Sequence, residues 1–183
     1  MDEIVPTNIP YSSFILTQNL IALNRRFPFL NIQVVGSSVL GASIPVIKLG
    51  TGPKQVFYSA SFHANEWICS VLLMKFIEDY CVAFATNSLV YGYSARELFR
   101  STSIYLMPMV NPDGVDLVTG YYSKNSNIYN SFRNIALRYP DIPFPSGWKS
   151  NFNGVDLNLQ FPAGWEQAKE IKYSQGFTRS SSS

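Results

Sequence analysis

Histidine occurs once in this sequence, at position 63, and cysteine only twice, at 69 and 81. If both cysteines lie on one helix, their twelve-residue separation is roughly 18 Å at 1.5 Å per residue. A disulfide requires Cα atoms within about 7 Å. The pair is therefore expected as free, buried thiols and as poor candidates for metal ligands. Charge is also scarce: 14% of residues are charged, and 14 basic against 12 acidic side chains leave a net +2. No basic run stands out, so nucleic acid is not an expected partner. Met1–Pro6 lacks the basic and apolar regions of a secretion signal. The most apolar stretch, residues 68–84, is interrupted by Lys75, Glu78 and Asp79, which excludes a bilayer span. With Met1 as the natural start, the expectation is a soluble, cytoplasmic chain with no membrane partner.

What is abundant is apolar and aromatic. Hydrophobic residues make up 46% of the 183, with 13 Phe, 11 Tyr and 3 Trp. That is enough for a core in a single domain, and aromatics at this level can also line a groove for an extended substrate. Residues 1–10 read as an extended lead-in. Ser12 or Ser13 caps a predicted helix to Arg26, with Phe14, Leu16, Leu20 and Leu23 as its apolar stripe. Strands are predicted at 32–35, 43–49 and 55–61, bounded by turn residues. The strongest helix runs from Ala64 to about Phe84, with Ile68, Leu72, Leu73, Phe76, Ile77, Tyr80 and Phe84 as apolar positions. A short helix at 95–100 and a strand at 103–110 follow, then Asn111-Pro112-Asp113-Gly114, which reads as a turn. Residues 119–152 read as a long irregular excursion with one helix near 131–138. The strand, helix, strand order gives an α/β class. Arg179 and the four serines after it read as a disordered tail.

Chemistry concentrates where strand 55–61 runs into Phe62-His63-Ala64-Asn65-Glu66-Trp67. His63 and Glu66 are three residues apart at a strand-to-helix junction, a spacing that lets both side chains converge on one point. Imidazole and carboxylate are ordinary zinc ligands. His-x-x-Glu is common by chance, and a lone histidine at a strand end is often structural; the flanking strand and apolar helix add weight to the metal reading. Two further segments stand out: Asn111–Gly114, and Gly154-Val155-Asp156-Leu157-Asn158-Leu159-Gln160-Phe161-Pro162, preceded by Trp148-Lys149-Ser150-Asn151.

Taken in order, these three segments resemble the zinc carboxypeptidase family from about residue 11 to 165. Within it, the wording is most similar to bacterial γ-D-glutamyl-L-diamino-acid endopeptidases, which cut peptidoglycan peptides. The resemblance implies a central mixed sheet flanked by helices, with residues 11–178 as the N-terminal portion of a catalytic domain whose C-terminal half is missing. It implies zinc as cofactor, His63 and Glu66 as its first two ligands, and a peptidoglycan stem peptide as substrate. Lys149 falls where carboxypeptidases place an arginine that polarises the scissile carbonyl, and a cation there would stabilise a developing oxyanion. Asn158 matches an asparagine that helps hold the substrate's terminal carboxylate. In typical carboxypeptidases an arginine follows that asparagine. Here Leu159 follows and cannot bind a carboxylate, which argues against ordinary carboxypeptidase specificity.

The family's third ligand is a second histidine further downstream, followed by a general-base glutamate and a substrate-gating tyrosine. Glu166, Glu170 and Tyr173 lie outside the matching segments, so none of these roles is carried over. Two readings follow: a zinc metallopeptidase, incomplete or inactive as this chain, or a truncated non-catalytic remnant that binds peptidoglycan peptides without cutting them. An unrelated α/β domain with a structural His63 is the third.

Overall fold

The computed structural model describes residues 3–176. The tail expected to be disordered, 179–183, lies outside them. Helix α1 spans Ser13–Arg26 and begins where the sequence places it: Ser12 Oγ accepts a hydrogen bond from Ile15 N at 3.4 Å. Its buried face is Leu16, Asn19, Leu20 and Leu23, while Phe14 turns outward. Strands β1 (Asn31–Ser37), β2 (Ser43–Leu49) and β3 (Lys54–Ser59) precede helix α2 (Ile68–Ala85). A small hairpin, β4 (Leu89–Val90) and β5 (Tyr93–Ser94), leads into α3 (Ala95–Ser101) and β6 (Thr102–Met107). Helices α4 (Pro112–Val118), α5 (Asn127–Ala136) and α6 (Trp165–Ser174) complete the order.

The sheet runs β1-β2-β6-β3 and is mixed: β1/β2 and β2/β6 are antiparallel, and β3/β6 is parallel. A parallel pair needs a crossover, and α2 lies within it. The main core joins α1 and α2 to the sheet through Leu16, Leu23, Ile47, Leu49, Met74 and Leu106. A second core lies away from it, with Phe132 edge-on to Trp148 and Phe152 at 5.3 and 5.0 Å between ring centres.

Four expectations are corrected. The buried face of α2 is Val71, Met74, Ile77, Tyr80 and Cys81, whereas Ile68 and Leu72 are 56% and 69% exposed. A helix that is apolar nearly all round has no face that periodicity can single out. Cys81 is buried as expected, but Cys69, next to exposed Ile68, is only partly so. Asn111–Gly114 is not a free turn; it starts α4, with Asn111 as N-cap accepting from Gly114 N at 3.1 Å and Pro112 in the first turn. The helix expected near 131–138 starts earlier, at Asn127, because Ser126 caps it through Tyr129 N.

Asn111 does more than cap. Its Nδ2 donates toward the carbonyls of Phe62, Lys149 and Ser150, at 3.2, 3.1 and 2.9 Å. The loop after β3, the loop before Asn151 and the start of α4 are thereby fixed to one side chain. Gly114 allows the close approach, since a Cβ there would stand 2.7 Å from Ser150 O and 2.8 Å from the Ala64 side chain. Among the described residues no helix is long and apolar enough to cross a membrane.

Two outcomes follow. Asn111→Ala leaves buried carbonyls unsatisfied and should destabilise the fold by about 2–4 kcal/mol, read as a lower midpoint in chemical denaturation; Gly114→Ala should destabilise in the same direction. Burial, reinforced by the Glu78 charge, pushes the Cys81 thiol from 9.0 up to about 12. A thiol reagent at pH 8 should therefore label Cys69 in the native chain and Cys81 only after unfolding. The protonated Cys81 stabilises the fold fully below about pH 9, and that contribution is lost as pH rises through about 12.

Candidate metal centre

The ladder between β3 and β6 closes at Ser59 opposite Met107. Pairing continues irregularly beyond it, through Ala60 N to Met107 O and Val110 N to Ala60 O, both at 3.0 Å. At Ser61 the backbone turns left-handed, with φ of 55°. Such a conformation is unfavourable for a residue with a side chain. Ser61 is held there by its hydroxyl, which donates to Glu66 O at 3.1 Å and shares a hydrogen bond with Ser70 Oγ at 2.7 Å. That turn separates His63 from the line of β3. A single 3-10 turn, Ala64–Glu66, then brings Glu66 back beside it. The turn is docked from outside by Ala64 N to Lys149 O at 3.0 Å and Asn65 N to Trp148 O at 3.1 Å.

His63 Nδ1 lies 3.0 Å from Glu66 Oε1, and His63 Nε2 lies 3.2 Å from Asp156 Oδ1. The imidazole is mostly covered, Asp156 is partly covered, and Glu66 is half exposed. A neutral imidazole has one N–H and one lone pair, so it can donate to only one of two carboxylates. If Asp156 takes the Nε2 proton, the Nδ1 lone pair faces a carboxylate oxygen across 3.0 Å. A cation bound between the two atoms would suit that juxtaposition.

The donor chemistry fits zinc at two positions. Ligands at about 2.0–2.1 Å in a tetrahedron stand roughly 3.3 Å apart, near the observed separation. Asp156 on the far ring nitrogen is the kind of outer partner that sets a ligating histidine's tautomer and orientation. The fit stops there: among the described residues no three His, Cys, Asp or Glu side chains are grouped to hold a metal ion.

A cavity of about 740 Å³ opens beside the pair, and His63, Asp156, Lys149 and Asn158 all line it. Glu66 is not part of its wall. Lys149 is exposed, and no ion pair among the described residues engages it. Asn158 is also exposed; its backbone N–H donates to Asp156 Oδ1 at 3.1 Å. Of the residues chosen from sequence, the structure thus places Lys149 and Asn158 on one wall with His63. Asp156 was missed, although it stands in the same Gly154–Pro162 segment, two residues before Asn158. Its carboxylate type and place beside the asparagine were the available signal. Helix α6 was missed entirely and lines the cavity through Trp165, Lys169, Lys172 and Tyr173. Phe161 packs against Phe62 at 6.0 Å between ring centres, joining this segment to the loop that carries His63.

The family model for zinc carboxypeptidases matches residues 16–182. Gamma-D-glutamyl-L-diamino acid endopeptidase 1 of Lysinibacillus sphaericus is 43% identical over 156 residues, which cover 85% of this chain and 39% of that protein. The protein YqgT of Bacillus subtilis is 44% identical over 149 residues, 80% of this chain and 39% of that one. This chain therefore spans about two-fifths of the length of these relatives. Among solved structures, thrombin activatable fibrinolysis inhibitor aligns with a TM-score of 0.64 at 18% identity, covering 88% of this chain and 37% of that one. A metallo-carboxypeptidase from Burkholderia cenocepacia aligns at 0.58 and 16% identity, covering 90% and 38%. The mixed sheet with its flanking helices is the fold of those structures, and the matched family model establishes that the chain belongs to the zinc carboxypeptidases.

Proposed function

We propose that this chain carries the first part of the active site of a zinc metallopeptidase that hydrolyses γ-D-glutamyl-L-diamino-acid bonds in peptidoglycan stem peptides. The observation that carries the reading is the arrangement of His63, with Glu66 Oε1 at 3.0 Å from one ring nitrogen and Asp156 Oδ1 at 3.2 Å from the other. The bond type comes from the name of the Lysinibacillus relative and is supported by Leu159, which cannot grip a terminal carboxylate as an arginine would.

His63 and Glu66 would hold zinc, which when bound supplies a water acidic near neutrality and a Lewis acid toward a carbonyl oxygen. By accepting an Nε2 proton from His63, Asp156 would leave the Nδ1 lone pair turned toward Glu66. Lys149 presents a cation to the cavity, where it would stabilise negative charge developing on the scissile carbonyl. Asn158, three residues before Phe161, offers a carboxamide at the same wall to orient the peptide. The turn at Ser61 and the bonds from Asn111 hold the backbone that carries His63 in register with the Lys149 loop. A second reading, a module that binds such peptides without cutting them, rests on the count of two metal donors among the described residues. Peptide capture needs only the cavity, Lys149 and Asn158.

With two protein donors, zinc affinity should be weak. Calorimetry on the 183-residue chain should show substoichiometric uptake at micromolar metal, abolished by His63→Ala. Tight one-to-one binding would contradict the two-donor reading. In a catalytically complete relative or parent carrying the same segment, Lys149→Ala should lower kcat about 10²–10³-fold with a smaller change in KM. Unchanged kcat would remove Lys149 from the chemistry.

A further inference from the structure

Leu159 leaves the cavity without a cation directly after Asn158, yet helix α6 adds cations to the same lining. Helix α6 contributes Lys169 and Lys172 to the lining, and Trp165 lies with them. Lys169 is held firmly for a lysine. Its Nζ lies 4.0 Å from the centre of the Trp165 ring and 2.6 Å from Glu166 Oε2. Its side chain is only 23% exposed, whereas Glu166 is 73% exposed. The Trp165 indole is itself tied to Gln160, with Nε1 donating to Oε1 at 3.4 Å. The cation is therefore fixed, through an aromatic ring, to the segment that carries Asp156 and Asn158.

An ammonium has three N–H donors. Glu166 takes one, and the ring face offers a quadrupole in place of an acceptor. Donor capacity is left over beside a cavity that Lys169 itself lines. The two carboxylates in the cavity lining do not use it: Asp156 is committed to His63 and to Asn158 N, and Asp141 is exposed. A lysine cation held over a ring beside a peptide-sized cavity, with donors to spare, favours an anionic group there, because charge-assisted hydrogen bonds are stronger than neutral ones.

We propose that Lys169 is a specificity-determining residue that binds a carboxylate of the peptide substrate, a role that α6 takes on where Leu159 has no cation. This rests on the peptidase reading of the cavity and narrows it to peptides carrying a free carboxylate next to the γ-linked bond. The rigid Trp165–Lys169 pair lowers the cost of ordering the side chain when the ligand arrives.

The test is equilibrium binding of γ-D-glutamyl-L-lysine and of its C-terminal carboxamide to the full chain, by calorimetry or by change in tryptophan fluorescence. The parent should bind the free acid about tenfold more tightly than the amide. Lys169→Met keeps the apolar stem on Trp165 and should erase that preference; Lys169→Arg should restore it. A Lys169→Met variant that still prefers the acid overturns the assignment of Lys169, as does a parent that binds both peptides equally. A parent that binds neither peptide overturns this proposal and the peptidase reading together. Retained acid preference in His63→Ala alongside lost zinc would keep the two roles separate and support Lys169 alone.

Discussion

One carboxamide holds this site in place. Asn111 joins three stretches that are far apart in sequence: Phe62 in the loop after β3, Lys149 and Ser150 before the last motif, and the first turn of α4. Each acceptor is a main-chain carbonyl in a partly buried place, where an unmet hydrogen bond is costly. Because Phe62 precedes His63 directly, and Lys149 O also receives Ala64 N, both ends of the proposed site are set by the same side chain. Gly114 completes the constraint by letting α4 lie almost in contact with Ala64. The imidazole position is thus a consequence of backbone satisfaction across loops.

Acidic side chains do similar structural work in a chain with little charge. Glu78, buried in α2, accepts from Ile4 N and Val5 N at 2.6 and 3.1 Å, which fastens the lead-in to the core. Asp116 accepts from Ser13 N and Oγ at 2.7 and 2.6 Å and caps α1 from α4. Burial raises its carboxyl from the ordinary value, and the two bonds from Ser13 oppose that shift. Asp113 holds Ser38 Oγ and Leu40 N in the connection between β1 and β2. Three carboxylates spend their charge on backbone donors, which is why Asn111–Gly114 reads as a turn in sequence yet acts as a junction in the fold.

What the sequence could reveal followed from local chemistry. Ser12 as a cap, the strand before His63 and the helix after it are short-range features, each written in three or four neighbouring residues. The resemblance supplied order and roles for Lys149 and Asn158, and the structure places both on the cavity wall with His63. The missed features depend on long-range partners. Asp156 gains its meaning only from His63, 93 residues earlier. The buried face of α2 depends on where the sheet lies, since Val71 and Leu72 are equally apolar and only one is covered. Helix α6 buries no residue fully, so it lacks the apolar stripe by which helices are recognised.

The two ends of the His63–Glu66 pair differ in how completely the described residues enclose them. On the imidazole side the ring is mostly covered, oriented by Asp156 and backed by the Trp148–Phe132 core. On the carboxylate side Glu66 is half exposed, and Ile68 and Leu72, shortly after it in sequence on α2, are exposed as well. The same side that leaves apolar groups bare leaves Glu66 least constrained. Half of the donor pair is therefore preorganised by its own packing and half is not. Metal affinity and histidine orientation are separable properties here: the second is already built by Asp156 and Asn111, while the first depends on what Glu66 and its exposed neighbours meet.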